Sequence, residues 1–367
     1  MEPAKKILLV QLYSNGDCLY ATAVARQIKQ DFPGSHLTWA IASFCKSIIA
    51  GNPYIDEIME VGTVAKNDVV AFRKFKKDIY RHHKKFDEIF VTHNADTNQA
   101  LYDGCIRSSI LRAYPYPITV PVTPILHLSE EEIERVEKFA SEHQLNNYKQ
   151  VILFEFAPQS GQLKITKEFA VAVAEKLIKN SDVAVILSSG QKVIHQHKAI
   201  IDGSILSLRE TAAITHYCSL LIGCSSGITW ISTSDAAKQL PMVQLLNAKT
   251  TWVNPISRDF ERFNLPVDKV IELIEFDKEK TADCVQAAMI NFTEAKKKFN
   301  QNIPLQFKTT RSIIYNLLCY LEFGAIAKHI KVNREIYGNN PVFYKEVVAG
   351  FLIFPFKLIK NLIIKRN

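Results

Sequence analysis

The chain contains no C-x-x-C pair and no G-x-G-x-x-G run. Each absence removes a class of function. Its seven cysteines, Cys18, Cys45, Cys105, Cys218, Cys224, Cys284 and Cys319, are scattered and odd in number. That pattern speaks against a zinc ribbon or a disulfide framework and reads as reduced, buried thiols of a cytosolic protein. No metal site is expected. Without a dinucleotide fingerprint, a Rossmann oxidoreductase is disfavoured. Nucleic acid is the weaker reading for a partner. The net charge of +8 suits anionic small ligands or an anionic membrane surface as well as it suits nucleic acid. The N-terminus runs directly into a strand, with no basic region, apolar segment and cleavage site, so no secretory signal is expected.

With 47% hydrophobic and 22% charged residues over 367 positions, the composition is that of a globular protein with two ordinary domains and a tail. Its opening stretch, Lys5 to Phe32, sets the pattern. Ile7 to Leu12 is a short apolar run suited to a strand buried on both faces. A polar break follows at Ser14, Asn15, Gly16 and Asp17. Leu19, Ala23, Ile28 and Phe32 then recur at helical spacing until Pro33 and Gly34. Strand, tight turn and helix open a doubly wound α/β sheet, whose ligands bind at the carboxyl ends of the strands. Gly16 lets the backbone bend and approach a ligand. Asp17, at the helix start, either caps the helix or takes a proton from a substrate hydroxyl.

The alternation continues with strands at 36–42, 55–61 and 86–93 and helices at 44–51, 68–85 and 100–114. The helix at 68–85 is basic, and Arg107 and Arg112 lie on the last one; a solvated face and a contact with an anionic partner are both open for these cations. Pro115, Pro117, Pro121 and Pro124 break the rhythm and predict an extended interdomain connection. Ser129 and Glu132 form a capping-box start for a helix over 130–143. A second alternation follows, with strands at 151–158, 183–190, 219–227 and 241–247 and helices at 167–179, 207–218, 228–237 and 278–299. Strands alternating with helices predict parallel sheets. Two Rossmann-like halves of similar size are thus expected, with a binding cleft between them.

The last part differs in character. Residues 313–330 predict an apolar helix. From Val342, the residues Val347, Phe351, Phe354, Leu358 and Leu362 share one helical face, with Lys345, Lys357, Lys360, Lys365 and Arg366 elsewhere. Lys357, Lys360 and Pro355 interrupt it, so it does not read as a spanning helix. It fits a basic amphipathic helix lying on a membrane, or a helix that packs back on the protein.

Two Rossmann-like halves joined by a linker is the pattern of GT-B glycosyltransferases, and the residues resemble glycosyltransferase family 9, the ADP-heptose:lipopolysaccharide heptosyltransferases. The resemblance rests on Ser14-Asn15-Gly16-Asp17, which matches that family's S-x-G-D after its first strand. It rests also on the rhythm of DFPGSHLTWAIASFCKSIIAGNPYIDEIMEV, and on SLRETAAITHYCSLLIGCSSGITWIST, which is similar to the stretch ending in D-T-G-x-x-H. It covers roughly residues 5–250. The resemblance implies a GT-B α/β fold with two Rossmann-like domains facing a central cleft and a helical C-terminal extension. The expected divisions are 1–126 for the acceptor domain, 127–300 for the donor domain and 301–367 for the basic amphipathic tail.

It further implies an inverting, metal-independent transfer of a heptose-like sugar from a nucleotide-sugar, ADP-heptose being the family's donor. Beyond this co-substrate no cofactor is implied. Asp17 would be the general base. Ser14, Asn15, Gly16 and Arg107 would face the acceptor, a lipopolysaccharide or related lipid-linked glycan. Lys164 would counter the phosphate charge, and Ser225, Ser226 and Gly227 would form the donor turn, with Ser188, Gly190 and Trp230 beside it. Ser225 stands for the motif's Asp, Ser226 for its Thr and Trp230 for its His. Arg258 is a further cationic candidate. The location implied is cytoplasmic, peripheral on the inner face of the cytoplasmic membrane. A GT-B transferase using another nucleotide sugar in O-antigen or capsule assembly, and a non-catalytic nucleotide- or glycan-binding relative, are the alternative readings.

Overall fold

The structure is a computed structural model that describes residues 4–364, apart from 63, 66, 67, 82–84, 159, 160, 162, 180, 248 and 250–254, with backbone alone from 357 onward. The first sheet joins β1 (Lys6–Val10), β2 (His36–Ile41), β3 (Glu57–Glu60) and β4 (Glu88–Val91) in the order β3-β2-β1-β4. All its pairings are parallel, with Ile7 opposite Leu37 on one side and Glu88 on the other. β1 is central, and Ile7, Leu8 and Leu9 are fully buried, as an uninterrupted apolar run requires in a sheet covered on both faces. α1 (Asn15–Asp31), α2 (Lys46–Ile49), α3 (Val69–Arg81) and α4 (Ile106–Ala113) accompany it.

After α5 (Glu130–Glu142), whose Ser129–Glu132 capping box forms in both directions, a second parallel sheet follows. It contains β5 (Gln150–Glu155), β6 (Val183–Ser188), β7 (Ile200–Asp202), β8 (Leu220–Gly223), β9 (Met242–Leu245) and β10 (Val270–Leu273), ordered β10-β9-β8-β5-β6-β7. Between its strands run α6 (Lys167–Leu177), α7 (Glu210–Ile214), α8 (Gly227–Ile231) and α9 (Ile256–Arg262), and α10 (Lys278–Ile290) and α11 (Phe292–Phe299) follow. β7 and β10 were not expected from the sequence. β7 is three residues long. β10 carries Glu272, buried where a strand wants an apolar residue and accommodated because Ser257 donates to it through its backbone N–H (2.9 Å) and its hydroxyl (2.8 Å).

Several expected helices are shorter or divided, each for a local reason. The one expected after residue 227 stops at Ile231. There the hydroxyls of Thr233 and Ser234 bond back to the carbonyls of Trp230 and Ile231, each at 2.7 Å. The 100–114 helix becomes a 3-10 turn, Asp96–Leu101, then α4, with Gly104 at φ 93 between them. The 278–299 helix divides at Asn291, whose side chain caps α11 through Glu294 N–H at 3.2 Å. The basic helix expected over 68–85 ends, as described, at Arg81; 82–84 lie outside the described residues.

The expected helix over 313–330 is two, α12 (Lys308–Cys319) and α13 (Phe323–Tyr337), separated by Leu321 at φ 59. The last helix, α14 (Pro341–Ile364), continues through Pro355 and packs along α12. A Cβ on Gly350 would lie 2.7 Å from Ile314 Cβ, so the two helices touch where a side chain is missing. Val347 and Phe354, on the apolar face read from the sequence, pack inward with Phe343 and Ile314. Val348, Phe351, Leu352 and Phe356 form the exposed apolar side. Lys365 and Arg366 lie outside the described residues. Among the described residues no helix is long and apolar enough to cross a membrane.

His329 on α13 ties this helical unit to the first half. Its Nδ1 lies 3.3 Å from the Ala100 carbonyl and its Nε2 lies 3.2 Å from the Thr310 hydroxyl. A carbonyl only accepts, so Nδ1 carries the proton and Nε2 accepts from Thr310. Burial depresses His329 from 6.5 to about 4, and His93 likewise. The unfolded chain therefore binds more protons between those values, so stability is full above about 6.5 and declines as pH falls toward 4. Thermal unfolding followed across this range should show Tm falling on acidification, with a smaller slope in His329→Gln.

Candidate active site

A cavity of about 820 Å³ opens at the carboxyl end of β1, bounded by the start of α1, the turn into α8, α9 and α12. The polar turn expected from the sequence forms its edge. Ser14 is the N-cap of α1 but makes no side-chain cap bond, and Asp17 lies in the first helical turn. Ser14, Asn15, Gly16 and Asp17 all line the cavity. Asn15 Oδ1 is buried there without a hydrogen-bond partner.

Across the cavity, Ser225, Ser226, Gly227 and Trp230 line the opposite wall. Trp230, standing where the resemblance expects histidine, is nearly buried and closes onto the turn of Asp17. A Cβ on Gly16 would lie 3.7 Å from Trp230 Cδ1, and the indole meets Tyr20 edge-on at 5.2 Å. It is an apolar wedge between the halves.

The α8 turn is built around a residue that sequence reasoning passed over. Glu155, at the end of β5, is almost fully buried. Its carboxylate accepts from the backbone N–H of Cys224 (2.9 Å) and Ile228 (3.3 Å), and from the hydroxyls of Thr229 (2.7 Å) and Ser226. Of the expected donor turn, Ser226 is thus directed at an internal carboxylate, together with its neighbours Cys224, Ile228 and Thr229. Ser225, held at φ 51, keeps a buried hydroxyl without a partner at the cavity wall. An acidic residue in the middle of an apolar strand run was the signal available in VILFEFAP.

Arg107, from α4, enters the same cavity with 1% of its surface exposed. Tyr20, Phe263 and Trp230 surround its guanidinium, with ring centroids at 4.7, 5.3 and 5.9 Å. Asp259 of α9 lies 3.1 Å away but out of hydrogen-bond alignment, so Arg107 Nε, Nη1 and Nη2 and Asp259 Oδ2 have no hydrogen-bond partner. Burial raises the Asp259 carboxyl's pKa, and the charge of Arg107 opposes the shift.

The remaining sequence candidates lie elsewhere. Lys164 is exposed on the loop before α6 and does not line the cavity. Ser188 is buried at the end of β6, and Gly190 is exposed beyond it; neither reaches the cavity. Arg258 donates to the Ile303 carbonyl at 2.6 Å. Of the basic helix α3, Arg73 bonds Asp96 (2.6 Å) and Glu322 (2.9 Å), and Lys76 pairs with Asp96 at 3.4 Å, so these cations hold the fold. Besides Asp259, the cavity brings in Tyr13, Phe44, Phe72 and His93, which the sequence reading left among strand and helix residues. Among the described residues no His, Cys, Asp and Glu cluster is suited to a metal ion.

No protein-family model matches this sequence, and no curated protein matches it. Solved structures do. The glycosyl transferase family 9 protein from Veillonella parvula superposes with a TM-score of 0.54 at 17% identity, over 82% of this chain and 92% of that one. The ADP-heptose lipopolysaccharide heptosyltransferase II of E. coli superposes with a TM-score of 0.53 at 14% identity, over 78% of this chain and 99% of that one.

The fold is GT-B. In GT-B terms the cavity is the cleft between the two Rossmann-like halves, with α12 of the C-terminal helices forming part of its wall.

The wedge role of Trp230 leads to a stability prediction. Trp230→Ala should cost about 3–5 kcal/mol by opening a void between α1, α4 and α8. Urea unfolding monitored by far-UV circular dichroism would measure it. A change under 1 kcal/mol would mean that the indole does not hold the halves together.

Proposed function

We propose that this GT-B protein is an inverting glycosyltransferase, with Asp17 as the base. The observation that carries this reading is the position of Asp17 in the first turn of α1, at the cavity edge and across from the α8 turn. A carboxylate so placed takes the proton of an acceptor hydroxyl as that oxygen attacks the anomeric carbon of a nucleotide-sugar. The C–O bond to phosphate breaks, the nucleoside diphosphate leaves with its electron pair, and the configuration inverts.

Arg107 brings buried positive charge to this cleft and is the one Lys or Arg among its described lining residues, available to anionic substrate groups. The exposed Lys164 would reach a leaving diphosphate only from the loop before α6. The proposed donor is a heptose-like nucleotide-sugar, and the proposed acceptor a lipopolysaccharide or other lipid-linked glycan. Glu155 favours one alternative, a transferase whose donor sits differently from the family pattern, because an internal anion already holds the α8 turn.

With a nucleotide-sugar and acceptor panel, purified protein should release nucleoside diphosphate, and Asp17→Asn should lower kcat by about 10²–10⁴-fold while donor binding persists. Binding without release by the wild type across the panel would leave a non-catalytic glycan- or nucleotide-binding protein.

The proposed location is the membrane surface at the cytoplasmic side, through the outer side of α14. Phe356 is 75% and Leu352 63% exposed, on a helix whose other side is committed to α12. Flotation with vesicles containing anionic lipid should recover the wild type, and the Leu352→Glu/Phe356→Glu variant should stay in the soluble fraction. Equal recovery of both would assign α14 to intramolecular packing alone.

A further inference from the structure

Phe44 follows β2 and lines the cavity, yet its ring is 59% exposed. It is not loosely held. Its ring stacks on Tyr13 at 5.3 Å with 29° between the planes. Tyr13 is nearly buried and is itself backed by His93 at 5.9 Å, whose ring meets Phe72 at 4.9 Å. Gln11 fixes both neighbours, donating to the Tyr13 carbonyl at 2.5 Å and lying 3.4 Å from His93 Nδ1. A braced aromatic face is thus presented to an open cavity. Two buried amide oxygens along the same lining, Asn15 Oδ1 and Asn94 Oδ1, accept no hydrogen bond.

We propose that Phe44, braced by Tyr13, is the platform on which the acceptor's pyranose ring stacks, with Asn15 and Asn94 accepting from its hydroxyls. One face of a pyranose presents C–H groups of slight positive polarity, which suit the negative face of an aromatic ring. Its rim carries hydroxyl donors, which suit acceptors left unpaired. Tyr13 immediately precedes the turn that bears Asp17, so a sugar on this platform lies beside the proposed base. A nucleobase would stack equally well on a phenyl ring. Asp17, Asp68 and Asp259 line this cavity, however, against one described cation, Arg107, which already faces Asp259 at 3.1 Å, so the lining suits a neutral sugar on this platform better than a nucleotide with its phosphates. Neutral His93 adds no cation to it, because burial depresses its pKa to about 4.

The inference rests on the glycosyltransferase reading for the identity of the sugar as acceptor, but its test needs no turnover. Saturation-transfer difference NMR would be recorded on the full chain with methyl α-glucoside, methyl α-galactoside and methyl α-mannoside, and separately with ADP and UDP. At least one glycoside should show enhancement at its ring C–H protons. Phe44→Ala should weaken its apparent affinity by about tenfold, Phe44→Trp should retain it, and Asn94→Ala should weaken it without altering the nucleotide spectra. Absence of glycoside enhancement in the wild type, or enhancement unchanged in Phe44→Ala, would overturn the proposal. So would loss confined to the base protons of ADP or UDP, which would make Phe44 a nucleobase platform. Phe44 is exposed, so its truncation should leave folding intact, and circular dichroism checks this. Sugar binding lost in Phe44→Ala without diphosphate release in the wild type would sustain the platform and sink the transferase reading.

Discussion

The carboxylate of Asp103, fully buried in the break before α4, holds three parts of this chain together. It accepts from Arg112 of α4 and from Arg262 of α9, each at 2.5 Å, and from the Cys105 N–H at 2.9 Å. Arg262 also meets Ser108 at 3.1 Å and the Tyr337 hydroxyl at 3.1 Å, and Tyr337 returns a bond to the Asp103 carbonyl at 2.6 Å. The first half, the second half and the C-terminal helices thus converge on one buried anion. Such a network is stable only while complete: removing one member of a buried pair strands charge, at a cost of about 3–5 kcal/mol. The segment that bears Asp103 also bears Cys105 and Arg107. The geometry of the cleft therefore depends on this network.

A second junction has the same character. Arg209 donates to Glu132 at 2.7 and 2.8 Å, to the Ser47 carbonyl at 2.7 Å, and to the carbonyls of Ala50 and His127. It gathers the end of α2, the connection into α5 and the start of α7. Between these two junctions the halves are packed through Trp230, Tyr20 and Phe263 around Arg107. Aromatic rings and buried ion pairs leave little freedom for sliding. In this closed arrangement the cavity wall includes α12, so the C-terminal helices shape the cleft as well as carrying the exposed apolar side of α14.

The site combines features that pull in different directions. The turn with Asp17 keeps the form expected from its residues, a carboxylate in a first helical turn at the end of a central strand. The α8 turn does not keep its expected role, because Glu155 fills the space toward which its N–H and hydroxyl donors point. Ser226 donates its hydroxyl to that carboxylate, whereas Ser225 turns its own toward the cavity wall without a partner.

The sequence alone determined the alternation of strands and helices, the central apolar β1, the strand-to-helix turn of Ser14 to Asp17 and the capping box at Ser129. These depend on residues close in the chain, whose periodicity and turn chemistry act locally. It did not reveal β10, because Glu272 makes that strand look polar until Ser257, 15 residues earlier, is placed beside it. Nor did it reveal the split of 313–330, where Leu321 takes a left-handed conformation without glycine to announce it. Lys164, Ser188 and Gly190 follow strands of the second sheet and read as cleft residues, yet only the tertiary arrangement decides which strand-end loops face the first half. Arg262 reaches Asp103 from 159 residues away and Cys224 reaches Glu155 from 69, and Asp259, which faces Arg107, comes from the second half. A buried charge is tolerated only where its counter-charge or hydrogen-bond donors are brought to it, and that is settled by packing, not by spacing along the chain.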